Sequence, residues 1–318
     1  MRPPAREPRQ PLPAPPPGSG LDGVLVIDKP GGITSHDVVA ALRRVLGEPR
    51  AGHTGTLDPM ATGVLPVLLG RATRLAQFVS GSVKTYEAGV SLTFETDTDD
   101  ATGRPVNSGS VQQGRVDRAA VEAALQPFRG TRLQMPPAFS AKRVGGRRAY
   151  ALARSATPPQ LTPAPVTVER LELVDWQEPI ATLRIVCSAG FYVRALARDL
   201  GRALGTGGHV TALRRLESGP FGLDDAAPLD EVLGDPESGR RRVRAPAAVV
   251  AHLPAVGIAG EALERARHGG DLDMSDLHVE PRARGASRVR LLGPEGVLVA
   301  IAVPGTRPGS LHPVVVLM

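Results

Sequence analysis

Gly52-His53-Thr54-Gly55-Thr56-Leu57-Asp58-Pro59-Met60-Ala61-Thr62-Gly63 holds one carboxylate in a loop with little backbone freedom. Its three glycines admit backbone angles closed to other residues. Pro59 drives Asp58 out of the α region into an extended conformation, so the chain itself sets the direction of the carboxylate. An Asp-Pro pair alone is an ordinary turn between apolar segments. The company of His53, Thr54 and Thr56 argues for a loop that presents a group.

Before the loop, the apolar run 23–27 reads as a strand that stops at Asp28-Lys29-Pro30-Gly31-Gly32. Ser35 is placed as the cap of a helix over 36–46, with Val38, Val39, Leu42, Val45 and Leu46 on its apolar face, Arg43 and Arg44 outward, and Gly47 closing it. After the loop come a strand over 64–69, a helix over 72–79 and an alternating strand over 84–94. The acidic run Glu95-Thr96-Asp97-Thr98-Asp99-Asp100 lacks the glycine and glutamate of a calcium loop, and Asp97 or Asp99 is expected to fix the turn through the backbone. An amphipathic helix over 117–125 precedes a basic excursion from Pro136 to Arg154. As a lone charge run that excursion is an ordinary solvated face; as a mobile arm it would follow a phosphate backbone.

Two strands (166–176 and 181–188), a helix over 192–204 and a strand over 209–216 follow. Gly205-Thr206-Gly207-Gly208 ends the helix as a C-cap and does not cradle phosphate, because a cradle would precede a helix. Residues 234–244 read as a charged linker to a small β-rich module starting near Ala251.

The chain has 318 residues, 42% of them hydrophobic, and a net charge of +6, which favours an anionic partner, nucleic acid before membrane. No uncharged apolar run is long enough to span a bilayer. The single cysteine, Cys187, excludes an internal disulfide and suits the cytoplasm. The first twenty residues, eight of them proline, read as a disordered basic tail. Of 38 basic residues only Lys29, Lys84 and Lys142 are lysine, so a compact ammonium is singled out beside the candidate site.

The seven histidines are scattered with no metal-ligand spacing, and nucleophile-elbow, Walker and dinucleotide fingerprints are missing. What remains is acid, base or covalent work by a lone carboxylate, and Asp58 is the strongly placed candidate.

Taken together, the strand ending Asp28-Lys29-Pro30-Gly31, the Gly52–Gly63 loop, Lys84-Thr85-Tyr86, Cys187-Ser188-Ala189-Gly190-Phe191-Tyr192-Val193-Arg194 and His209-Val210-Thr211-Ala212-Leu213-Arg214-Arg215 resemble, in order and spacing, the TruB family of tRNA pseudouridine synthases. The resemblance is dense from Leu21 to Gly219. It implies an α/β fold of the α+β type: a catalytic core (21–250) with a long, mainly antiparallel mixed sheet flanked by helices, then a PUA-like RNA-binding domain (251–318).

The resemblance also implies isomerisation of the T-loop uridine, position 55 of tRNA, by a monomer without cofactor or metal. By position it makes Asp58 the catalytic aspartate, Tyr86 the ring against the target base and Arg194 the cation paired with Asp58. His53, Lys29, Tyr192 and Leu213 become contacts to, or supports of, the flipped nucleotide. The chain departs from the family pattern at Met60 (usually leucine), at Phe191 (usually threonine) and at Arg143, where Lys142 is the neighbouring substitute for a lysine. A second role, as a chaperone that binds and remodels tRNA, is compatible with the same fold.

Overall fold

The computed structural model describes residues 20–106, 116–138, 161–274 and 285–317, with short pieces at 143–144, 147–148, 277–279 and 283. The basic tail, Lys142 and most of the 136–154 excursion lie outside the described residues.

β1 (Gly23–Lys29) leads to α1 (Ser35–Leu46), and β2 (Ala51–His53) to β3 (Thr62–Leu69). A 3₁₀ turn (Gly70–Leu75) runs into α2 (Ala76–Val79), so the helix expected at 72–79 is half 3₁₀. β4 (Lys84–Ser91), α3 (Arg118–Leu125) and β5 (Gly130–Gln134) follow, then a small hairpin of β6 (Arg143–Val144) and β7 (Arg147–Arg148). β8 (Ala164–Gln177) and β9 (Ile180–Cys187) form a long hairpin ahead of α4 (Val193–Leu204), β10 (His209–Ser218), β11 (Phe221–Gly222) and β12 (Ala227–Pro228).

The principal sheet has ten strands in the order β12-β1-β3-β10-β4-β9-β8-β5, with β2 attached to β3 and β11 to β10. It is mainly antiparallel. Its centre is a thin seam. β3 and β10 run parallel through two register pairs, Thr62 with Arg214 and Gly63 with Arg215, and β2 takes over the same edge of β3 at Val67–Leu69. This leaves a notch on the β3 edge between the two partners. There the Thr54 amide bonds the Pro66 carbonyl at 3.2 Å, and Arg215 Nε bonds the Val64 carbonyl at 2.7 Å. The backbones approach so closely at Gly63 (φ 101°) that a Cβ would overlap the Arg215 carbonyl, which only glycine avoids.

β1 and β3 are apolar on both faces, as strands covered on both sides must be. On the front, Leu25, Ile27 and Leu65 pack with Val38, Leu42 and Leu46 of α1. On the back, Val24, Val26, Val64 and Leu68 pack with Leu298, Ile301 and Leu317. Those last residues come from or adjoin a second, six-stranded sheet, which runs from β13 (Ala255–Gly257) to β18 (Ser310–Val316). The expected linker, 234–244, instead follows a short helix, α5 (Leu229–Gly234), and contains another, α6 (Pro236–Arg241); it is tied to the core by Arg240 on the Leu46 carbonyl and by the Arg244–Val24 bridge. Its charges find partners, Arg242 with Glu231 of α5 and Arg240 with Glu237, so a charge-rich stretch folds back on the core.

The cap of α1 also differs from expectation. Thr34, one residue earlier, makes a capping box with Asp37, and Gly47 ends the helix in the left-handed conformation. Ser35 is committed elsewhere: its hydroxyl accepts from the Leu57 amide at 2.8 Å and donates to the Leu57 carbonyl at 3.1 Å.

Candidate active site

The loop before β3 is fastened on its inner side. Beyond the Ser35–Leu57 bracket, the Pro59 carbonyl accepts from the Gly32 amide at 2.8 Å and from Lys29 Nζ at 3.3 Å, and the Asp58 carbonyl closes a turn with the Ala61 amide. With the backbone held this way, the Asp58 side chain meets the first turn of α4. Arg194 Nε lies 2.8 Å from Asp58 Oδ2 and Nη2 lies 2.9 Å from Oδ1, a bidentate pair. The guanidinium is 6% exposed and the carboxylate 30%, so the cation is sealed in while the carboxylate keeps an open side.

Arg194 is itself fixed from the acidic turn, by the Thr98 carbonyl at 2.9 Å and by Asp100 at 3.8 Å. Asp97 accepts from the Arg104 amide and so fixes the turn, as expected. Asp99 instead takes Arg198 at 3.0 Å, and Glu95 takes both donors of Arg202. Arg194, Arg198 and Arg202, four residues apart on one face of α4, thereby bind the 95–100 segment in sequence. The Arg202 bonds hold the Glu95 carboxyl below its ordinary range, while burial pushes Asp99 up against the pull of Arg198.

Tyr86 projects from β4 opposite Arg215, half-buried against the front core. Burial raises its phenol pKa, and the neighbouring Arg215 guanidinium opposes the rise. A half-open carboxylate, its cation and a tyrosine thus meet where the two halves of the sheet join.

Residues 43–193 match the TruB family pseudouridylate synthase N-terminal domain, and residues 194–239 match the tRNA pseudouridylate synthase B C-terminal domain. The chain is 46% identical to tRNA pseudouridine synthase B of Symbiobacterium thermophilum over 79% of its length and 83% of that protein. It is 42% identical to the Solibacter usitatus protein of the same name, over 93% and 100%. The chain belongs to the TruB family. It is a tRNA pseudouridine synthase, an isomerase. In structure it is similar to an H/ACA RNP bound to a substrate RNA containing 2′-deoxyuridine, with a TM-score of 0.70, 26% identity, and 94% of this chain and 86% of that one covered.

The other expected TruB-family site residues divide into two groups. Lys29 is fully buried and gives its ammonium to the Pro30, Ile33 and Pro59 carbonyls, so it braces the loop from within. Burial pulls its pKa down to about 8, with Asp58 resisting. Leu213 is buried in the front core, paired with Ala88. His53 ends β2 opposite Val67, where the loop begins. Tyr192 occupies the N-cap position of α4, and its backbone is held at both polar atoms by the Gln134 amide, at 2.9 and 3.0 Å.

Gln134 and Arg215 are buried polar residues with no role expected from the sequence, and Ser35 brackets the loop instead of capping α1. Strand alternation was the one available signal for Arg215. Lys84 parallels Lys29, with its ammonium on the Ser80 and Ser82 carbonyls and a pKa pulled down by burial to about 8. Cys187 is buried on β9, and burial pushes its thiol up to about 12. Among the described residues, no helix is long and apolar enough to cross a membrane.

Proposed function

We propose that the chain isomerises the T-loop uridine at position 55 of tRNA, as a cytoplasmic monomer that binds the T-stem-loop and uses no cofactor. The Arg194–Asp58 pair carries this reading: a bidentate guanidinium orients a carboxylate in a partly dry site, while the open side of the carboxylate remains available to substrate. The reaction breaks the C1′–N1 bond, turns the uracil and rejoins it through C5, releasing the C5 proton. One ionised carboxylate suits that sequence, whereas glycoside hydrolysis uses two carboxyl groups and admits water.

The target base is extruded from its loop at a cost of about a few kcal/mol and stacks on Tyr86, with His53, Tyr192 and Leu213 around it. Lys29 supports the loop. The second sheet serves as a PUA-like RNA-binding module.

The test is nucleotide mapping of pseudouridine in treated tRNA, with tritium release from 5-labelled uridine. Asp58→Asn is expected to abolish release and to leave tRNA affinity within about tenfold, roughly 1.4 kcal/mol. Retained turnover removes Asp58 from the chemistry, and modification at another nucleotide removes the T-loop assignment.

A further inference from the structure

The carbonyl side of the Asp58 loop rests on a guanidinium that the reaction above does not use. Arg215 is 1% exposed. It donates from Nε to the Val64 carbonyl at 2.7 Å, from Nη2 to Gly55 at 3.1 Å and from Nη1 to Thr56 at 3.4 Å. Those acceptors flank Asp58 in sequence, two before it and one after. On β10 the backbone of Arg215 pairs with Tyr86 on one side and with Gly63 on the other, and its side chain meets the Tyr86 phenol. A single residue therefore touches both ends of the loop that presents the carboxylate and the strand that presents the ring.

Burying a guanidinium against neutral carbonyls is a costly way to fill space, and its charge also disfavours the ammonium forms of Lys29 and Lys84. Apolar side chains would fill the notch more cheaply. What they lack is a planar fork that reaches three carbonyls at once, and lysine, a point charge on a flexible stem, lacks it too.

We propose that Arg215 is a positioning residue whose forked contacts fix the separation of the Asp58 carboxylate from the Tyr86 ring, so that one extruded pyrimidine meets both. This rests on reading Asp58 as the catalytic group. Reacting groups tolerate little error, a displacement of about 1 Å costing on the order of 10²-fold in rate.

The adjacent residue supplies the control. Arg214 points to the opposite face, where it pairs with Asp28 at 2.7 and 3.0 Å and reaches the Thr62 hydroxyl at 3.3 Å. It clamps the same seam without touching the Gly55, Thr56 or Val64 carbonyls.

The experiment compares full-length R215K, R215Q and R214Q by single-turnover tritium release from 5-tritiated tRNA with enzyme in excess, by tRNA binding and by thermal melting. R215K and R215Q are expected to lose about 10²-fold in rate with Kd within about threefold of wild type; R214Q is expected to melt lower yet keep its rate within about threefold. An R215K rate within about threefold of wild type overturns the proposal, as does an R214Q loss equal to that of R215K. Failure of both Arg215 variants to fold assigns the residue to stability and also overturns it. D58N is run alongside. Its continued turnover would sink the reading of Asp58, whereas an inactive D58N beside a fully active R215K sinks only the role given to Arg215.

Discussion

The two sides of the Gly52–Gly63 loop meet cations of different kinds. On its outer side a carboxylate faces Arg194, charge against charge, with one flank open. On its inner side the carbonyls of Gly55, Thr56 and Pro59 face Arg215 and Lys29, charge against dipole, sealed from water. The outer arrangement aims a carboxylate and leaves it one flank for substrate. The inner one spends buried charge on holding backbone still. Function and architecture are therefore separable by the acceptor each cation chooses.

The sharpest way to break this contrast is Arg194→Met, which leaves Asp58 and Asp100 without their shared cation. Tritium release is expected to fall at least about 10²-fold, roughly 2.7 kcal/mol of transition-state stabilisation. Release within a few-fold of wild type would remove Arg194 from the reaction. Lys29→Met tests the inner side. It removes three hydrogen bonds to carbonyls and is expected to cost about 2 kcal/mol in urea unfolding, with a smaller loss of turnover than Arg194→Met.

The lysines give the comparison a pH signature. Folding lowers Lys29 and Lys84 from 10.5 to about 8, so above pH 8 the unfolded chain binds more protons and stability rises with pH. Between pH 8 and 9 the gain is about 1 kcal/mol per lysine, and Lys29→Met is expected to halve it in urea midpoints. Above pH 9 the raised Cys187 thiol acts in the opposite sense, because there the folded chain holds the extra proton, and the rise flattens. The smallest effect belongs to Arg202→Gln. Arg202 is 59% exposed in its pair with Glu95, so its loss is expected to cost about 0.5 kcal/mol, with turnover unchanged.

Much of the fold was legible because periodicity and punctuation agree along the chain. The apolar runs of β1 and β3, the alternation of β4 and the glycine ends of α1 and α4 each mark their element locally. The loop could be read as a presenting loop for the same reason, since Pro59 and the glycines act on their own backbone.

What escaped depends on contacts between distant residues. Thr34 and Ser35 are adjacent hydroxyls, and only the Ser35 bond to Leu57, 22 residues on, decides which of them caps α1. Arg214 and Arg215 look alike in sequence, yet strand alternation sends one to a carboxylate behind the sheet and the other to carbonyls in front. Gln134 carries no local mark at all, because its partner is the backbone of Tyr192, 58 positions away. Residues 234–244 read as a linker since their charges find partners only once α6 has formed beside α5.

Cys187 has a practical consequence. A thiol fully buried in the sheet is out of reach of maleimides and iodoacetamides, and burial also pushes its pKa up, which lowers the thiolate fraction that would react. A cysteine introduced on an exposed strand or helix can then carry a dye or photocrosslinker with single-site selectivity, without first removing the native one.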